Sequence, residues 1–154
     1  MTNLIDGIKE VLADQWNQVA QTDEENNVTY VPRYSFQFED QKMMNVTADN
    51  QPFPCVFFEE YTNGSYNVKF GINKKTIVQL YFMRLQKDVS TNAIDREALR
   101  NQIESEAVLP FIRSIGTLRP FREEMTEFKF FTPPPRFDAN EVSIMLQFEC
   151  KYPV

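Results

Sequence analysis

The sequence predicts an α+β fold, a mainly antiparallel sheet of about five to six strands with two helices packed on one face. Three observations carry that expectation. Two stretches keep apolar residues at three- and four-residue intervals, several shorter ones alternate apolar with polar residues, and the order is helix, three or four strands, helix, two strands.

The first helix is set by Leu4, Ile5, Ile8, Val11, Leu12, Trp16 and Val19, with Thr2 or Asn3 as its cap, and the spacing carries it over roughly residues 3 to 20. The polar run QTDEENN (Gln21 to Asn27) ends it and opens a loop. Tyr34, Phe36 and Phe38 alternate with polar residues, which predicts a strand near residues 33 to 39, with Pro32 placing its start at an edge. CVFFEEY reads as a further strand, followed by Asn63-Gly64 as a tight turn and Ser65 to Phe70 as the return arm. Thr76 to Gln86 is nearly continuous in apolar character, so a strand covered on both faces is expected there.

Leu99, Ile103, Ala107, Val108, Phe111, Ile112 and Ile115 return to helical spacing, with Asn92 or Asp95 as cap and Gly116 as stop. Pro110 lacks a backbone donor and crowds the preceding turn, so this helix should bend or break there. Two strands close the chain, one near Met125 to Phe131 and one over EVSIMLQFECKY (Glu141 to Tyr152). In the latter, Val142, Ile144, Leu146, Phe148, Cys150 and Tyr152 form a dry face; Glu141, Ser143, Gln147, Glu149 and Lys151 form a wet one, with Met145 its one large apolar residue. Pro133, Pro134 and Pro135 make the link between these strands a stiff polyproline connection.

A length of 154 residues with 42% hydrophobic content suits one domain spanning 1–154. The net charge of -6 and pI near 4.8 disfavour general attraction to phosphate backbones or anionic lipid. No segment approaches the ~18 continuous apolar residues of a membrane span, and the opening lacks a basic, then apolar, leader pattern. A soluble cytosolic protein is expected, with no membrane partner. Cys55 and Cys150 fall in predicted strands, where a free thiol behaves as a small buried hydrophobe.

Histidine is absent, which removes the commonest acid/base group, the commonest metal ligand and every Ser-His or Cys-His pair. Glu59 and Glu60 are strand neighbours pointing to opposite faces, so they do not share a site. Asp23, Glu24 and Glu25 lack the spaced oxygens and the glycine of a calcium loop and read as a solvated turn. No glycine-rich phosphate motif occurs. The expectation is therefore no enzyme activity, no catalytic residue, no metal and no cofactor. Arg119, Phe121 and Arg122 combine arginine with an aromatic, a pairing enriched at protein interfaces, and Pro133, Pro134 and Pro135 suit a docking arm.

FPCVFFEEY (Phe53 to Tyr61), TIVQLYFMRLQ, EAVLPFIRSI (Glu106 to Ile115) and SIMLQFECKY, taken in that order, resemble the tail terminator, or tail-completion, proteins of long-tailed bacteriophages. The resemblance covers about residues 50 to 152 and lies in the order and spacing of elements, not in a signature motif. The stretch Val28 to Asn50 is longer than the family pattern, and the triple proline has no counterpart in it. The resemblance implies a self-assembled ring, commonly hexameric, that caps the tail tube and joins it to the neck. Its partners would be the tail-tube and neck or connector proteins, and its place the virion, after assembly in the host cytoplasm. DNA would pass through the channel without specific binding, past polar or acidic side chains, for which Glu141, Gln147 and Glu149 are the candidates. The rival expectations are a head-completion or adaptor connector, and a small-ligand module using an aromatic-rich cavity. A carboxylate hydrolase ranks last.

Overall fold

The computed structural model describes residues 4–37, 53–59, 63–86, 93–115, 127–135 and 140–153. The first helix, α1 (Leu4–Leu12), buries Ile8, Val11 and Leu12. It stops earlier than its periodicity predicts. Asp14 caps a short 3-10 turn (Gln15–Asn17), and the chain then becomes strand β1 (Gln18–Thr22), paired antiparallel with β2 (Val28–Pro32). Trp16 still reaches the core, but Val19 sits on a hairpin strand, so a helical spacing of apolar residues was continued by chance into a different element.

The main sheet contains β3 (Ser35–Gln37), β4 (Cys55–Phe58), β5 (Asn63–Asn67), β6 (Asn73–Leu85), β7 (Phe128–Phe131) and β8 (Glu141–Pro153). Its order is β3-β4-β6-β8-β7, with β5 also on β6. Among the described strands only β3 with β4 is parallel; the other pairs are antiparallel. The spine is β6 against β8, in register from Asn73 opposite Pro153 to Leu85 opposite Glu141.

Asn63-Gly64 is not a turn. Both β4 and β5 run antiparallel to β6 along one edge, β4 at Leu80–Met83 and β5 at Asn73–Ile77, and the reversal comes after Asn67, where Gly71 has a φ of 98°. Gly64 serves close approach instead: a Cβ there would lie 1.9 Å from the Lys75 carbonyl oxygen.

The second helical stretch comprises α2 (Ala93–Ile103), a π-helical turn (Glu104–Val108) and α3 (Leu109–Ile115). The disturbance expected at Pro110 appears as this π turn, one turn upstream, with Leu109 N–H donating to the Glu104 carbonyl. Ile103, Ala107, Phe111 and Ile115 are all fully buried at strict four-residue spacing. In a regular α-helix that spacing drifts by about 120° over three steps; one extra residue in a π turn reduces the drift to about 20°. The widened turn thus keeps all four on the sheet. Burying each of the larger ones stabilises the fold by roughly 1.5–3 kcal/mol.

One core lies between the helices and the sheet face formed by Val56, Phe58, Val78, Leu80, Phe82, Val142, Ile144, Leu146, Phe148 and Cys150. Phe111 sits at its centre, 5.5 Å from the Phe82 ring and 6.2 Å from the Phe148 ring. A smaller cluster of Cys55, Phe57 and Met83, flanked by Phe53 and Tyr81, occupies the opposite face. The expected double coverage of β6 therefore holds at Phe82 and Met83, both fully buried, and fails at Ile77 and Gln79, which are half-buried. The two free cysteines lie on opposite faces of the sheet, which keeps them from pairing.

Candidate functional site

The polar contacts concentrate in two places, one structural and one on the surface. The structural one begins at Asn17, fully buried where the 3-10 turn meets β3. Its side-chain amide donates to the Leu12 and Tyr34 carbonyls at 2.8 and 2.9 Å, and its Oδ1 accepts from Tyr34 N–H at 2.8 Å. That fixes Tyr34, whose hydroxyl donates to Glu106 Oε1 at 2.7 Å. Arg84 Nη1 contacts the same Glu106 oxygen, and Arg33 lies 3.9 Å from Oε2.

Glu106 stands in the π turn and Arg84 at the end of β6, so the cluster ties four segments together. Burial alone would raise the Glu106 carboxyl, but hydrogen bonds from Tyr34 and Gln102 and the charges of Arg84 and Arg33 outweigh it and hold it below its ordinary value. Burial opposes the Arg84 charge as well; its contacts with Tyr34 and Glu106 prevail and hold it above the ordinary value. Burial, then the bond to Glu106, push the Tyr34 hydroxyl up. A carboxylate held ionised by this many donors is a weak base, and the cluster works as a clasp. Beside it an open groove of about 390 Å³ is lined by Arg84, Leu85, Gln86, Asp95, Leu99 and Gln102.

The wet face predicted for β8 divides. Glu141 and Ser143 are buried, 1% and 2% exposed, at the end of the sheet where Arg96 Nη2 donates to the Glu141 carbonyl at 2.9 Å. Glu141 is therefore no channel-lining residue: strand alternation places it on the outer face correctly, but that face is covered at this end. Its carboxylate and, more strongly, burial raise the Cys55 thiol.

Toward the other end the face opens. Gln79 Nε2 donates to Gln147 Oε1 at 3.3 Å, Lys129 stands opposite Gln147 on β7, and Lys75 pairs with exposed Glu149 at 2.9 Å. Gln147 and Glu149 thus share an open surface with Lys75 and Lys129, two ammonium groups to one carboxylate, and with exposed Phe131. Pro133 is half-buried, while Pro134 and Pro135 are exposed beyond β7 without regular structure. Arg119, Phe121 and Arg122 lie outside the described residues.

Two hairpins were missed as surfaces. At the β5–β6 turn Tyr66, Val68, Phe70 and Ile72 are exposed, Phe70 to 87%, with Lys69 Nζ 5.5 Å from the Phe70 ring centre. On β2, Val28 and Tyr30 are exposed, while Val19 and Val31 face inward and are half-buried. The β1–β2 turn is ordered by Asp23, whose Oδ1 accepts from Glu25 N–H at 2.9 Å and Asn27 N–H at 2.7 Å, with Asn26 at a φ of 63°. The Asn27 backbone bond leads in lowering the Asp23 carboxyl, although burial opposes it. The usable signal was alternation in NVTYVP and SYNVKFGI, where apolar side chains recur every second residue.

Among the described residues no group of three or more acidic or thiol side chains could hold a metal ion, and no helix is long and apolar enough to cross a membrane. No protein-family model matches the chain, and a search of curated proteins returns no relative.

Proposed function

We propose that this chain is a non-enzymatic structural protein of a bacteriophage tail, a homo-oligomeric ring that ends the tail tube, joins it to the neck and leaves a channel for DNA. The observation that carries the reading is the exposed apolar side chains Tyr66, Val68, Phe70 and Ile72 on one projecting hairpin. Contiguous apolar surface of this kind marks a protein contact. The acidic balance of the chain suits a conduit better than a DNA-binding surface. The element order that resembles tail terminators is retained from β4 through β8.

The test combines light scattering with electron microscopy of the protein added to uncapped tail tubes. A single oligomeric mass and rings at tube ends are expected. A monomer that leaves tube ends bare would overturn the proposal, and a ring found only on the capsid side would replace it with a head-completion connector.

A further inference from the structure

Two hairpins of this chain are opposite in charge and alike in exposing apolar side chains. Residues 18–32 carry Asp23, Glu24 and Glu25 and no basic residue; residues 63–75 carry Lys69, Lys74 and Lys75 and no acidic one. Lys75 is engaged with Glu149, whereas among the described residues no carboxylate pairs with Lys69 or Lys74. Each charged set adjoins its apolar one, Val28 and Tyr30 on the acidic hairpin and Tyr66, Val68, Phe70 and Ile72 on the basic hairpin.

The backbone adds a second argument. The β1–β2 pair forms a two-stranded sheet of its own, and among the described residues no other strand pairs with either of its edges. A hairpin of this size is marginal in water unless something packs on it, and here Val19 and Val31 supply an inner face while Val28 and Tyr30 point away. Among the described residues the strand β5 likewise pairs with β6 alone.

We infer that the β1–β2 hairpin of one subunit docks on the β5–β6 hairpin of a second copy of this chain. The inference rests on the ring reading above and names its contact. In the ring reading the contact is heterologous: the acidic patch of each subunit meets the basic patch of the next, and the repeated contact closes into a ring where the rotation between neighbours closes. Apolar side chains supply the contact, and the lysines opposite the acidic turn set its polarity, since like patches repel.

The experiment is a charge swap read by light-scattering mass at low salt, with far-UV circular dichroism confirming that each protein is folded. One variant carries Lys69→Glu with Lys74→Glu; the other carries Glu24→Lys with Glu25→Lys, leaving Asp23 to order the turn. Each variant alone should associate about tenfold or more weakly than the parent, and an equimolar mixture should regain the oligomer because opposite patches meet again. Salt should weaken the parent's association. Variants that keep the parent mass, a mixture that stays dissociated, or a parent that is monomeric at every concentration would each overturn the inference. If the swap behaves as expected but no ring binds tube ends, the contact stands and the tail reading falls; if rings cap tubes yet ignore the swap, the reverse holds.

Discussion

Glu106→Gln tests the clasp most directly, because it keeps the side-chain shape while removing the charge that Tyr34, Gln102, Arg84 and Arg33 address. In the folded protein the Glu106 side chain is 15% exposed and that of Arg84 25%, so their contact is largely shielded from solvent. Arg33, 40% exposed and 3.9 Å away, adds little. Breaking a fully buried pair by removing one partner costs about 3–5 kcal/mol; with this much residual exposure about 2 kcal/mol is expected. In urea, with a slope of about 2 kcal/mol per molar, the midpoint should fall by about 1 M.

The pH dependence has a defined sign. Glu106 is held below its ordinary value in the folded state, so its contribution is present above the unfolded pKa of about 4.3 and disappears as pH falls through the folded value. Parent and variant should therefore differ fully at pH 7, and the difference should shrink as pH falls below about 4.3. A difference under about 0.5 kcal/mol at pH 7, or one that persists undiminished at pH 3, would refute the clasp.

Two further outcomes are expected. Asn17→Ala strands the Leu12 and Tyr34 carbonyls and the Tyr34 N–H, a loss of about 3 kcal/mol, which calorimetry should register as a melting temperature roughly 10 °C lower. Cys55 and Cys150 are buried, and burial pushes the Cys150 thiol up to about 12, so a thiol reagent at pH 8 should modify both far more slowly in the native protein than in urea; equal rates would contradict the burial of both strands.

The elements that sequence pattern located well are those whose periodicity is long or whose neighbours are close in sequence. Val142 through Phe148 alternate as a strand must, and they do form the buried face of β8. Leu99 through Ile115 keep helical spacing and do form a helix on that face. The failures have physical causes. Val19 continues the spacing of α1 by coincidence, and the Asp14 cap with buried Asn17 ends the helix through contacts to Tyr34, which lies beyond reach of a local reading. Asn63-Gly64 has the composition of a tight turn, yet the chain uses Gly64 to approach Lys75.

The candidate site was legible only in part. Gln147 and Glu149 lie on the open face as expected, whereas Glu141, two turns of the pleat before Met145, is enclosed. Alternation assigns a residue to a face but not to the covered or open end of it. The clasp of Tyr34, Arg84 and Glu106 joins residues far apart in the chain and left no local trace.

By itself, the amino-acid order determined the class of fold, one dry face on β8, a helix irregularity near Pro110 and the absence of histidine chemistry, because each depends on periodicity, backbone geometry or composition. Tertiary structure alone decided where α1 stops, which half of the outer face meets solvent, and that the acidic and basic hairpins both project apolar side chains. Those outcomes depend on which distant segments come to lie side by side, and burial and charge pairing act on that spatial neighbourhood, not on separation along the chain.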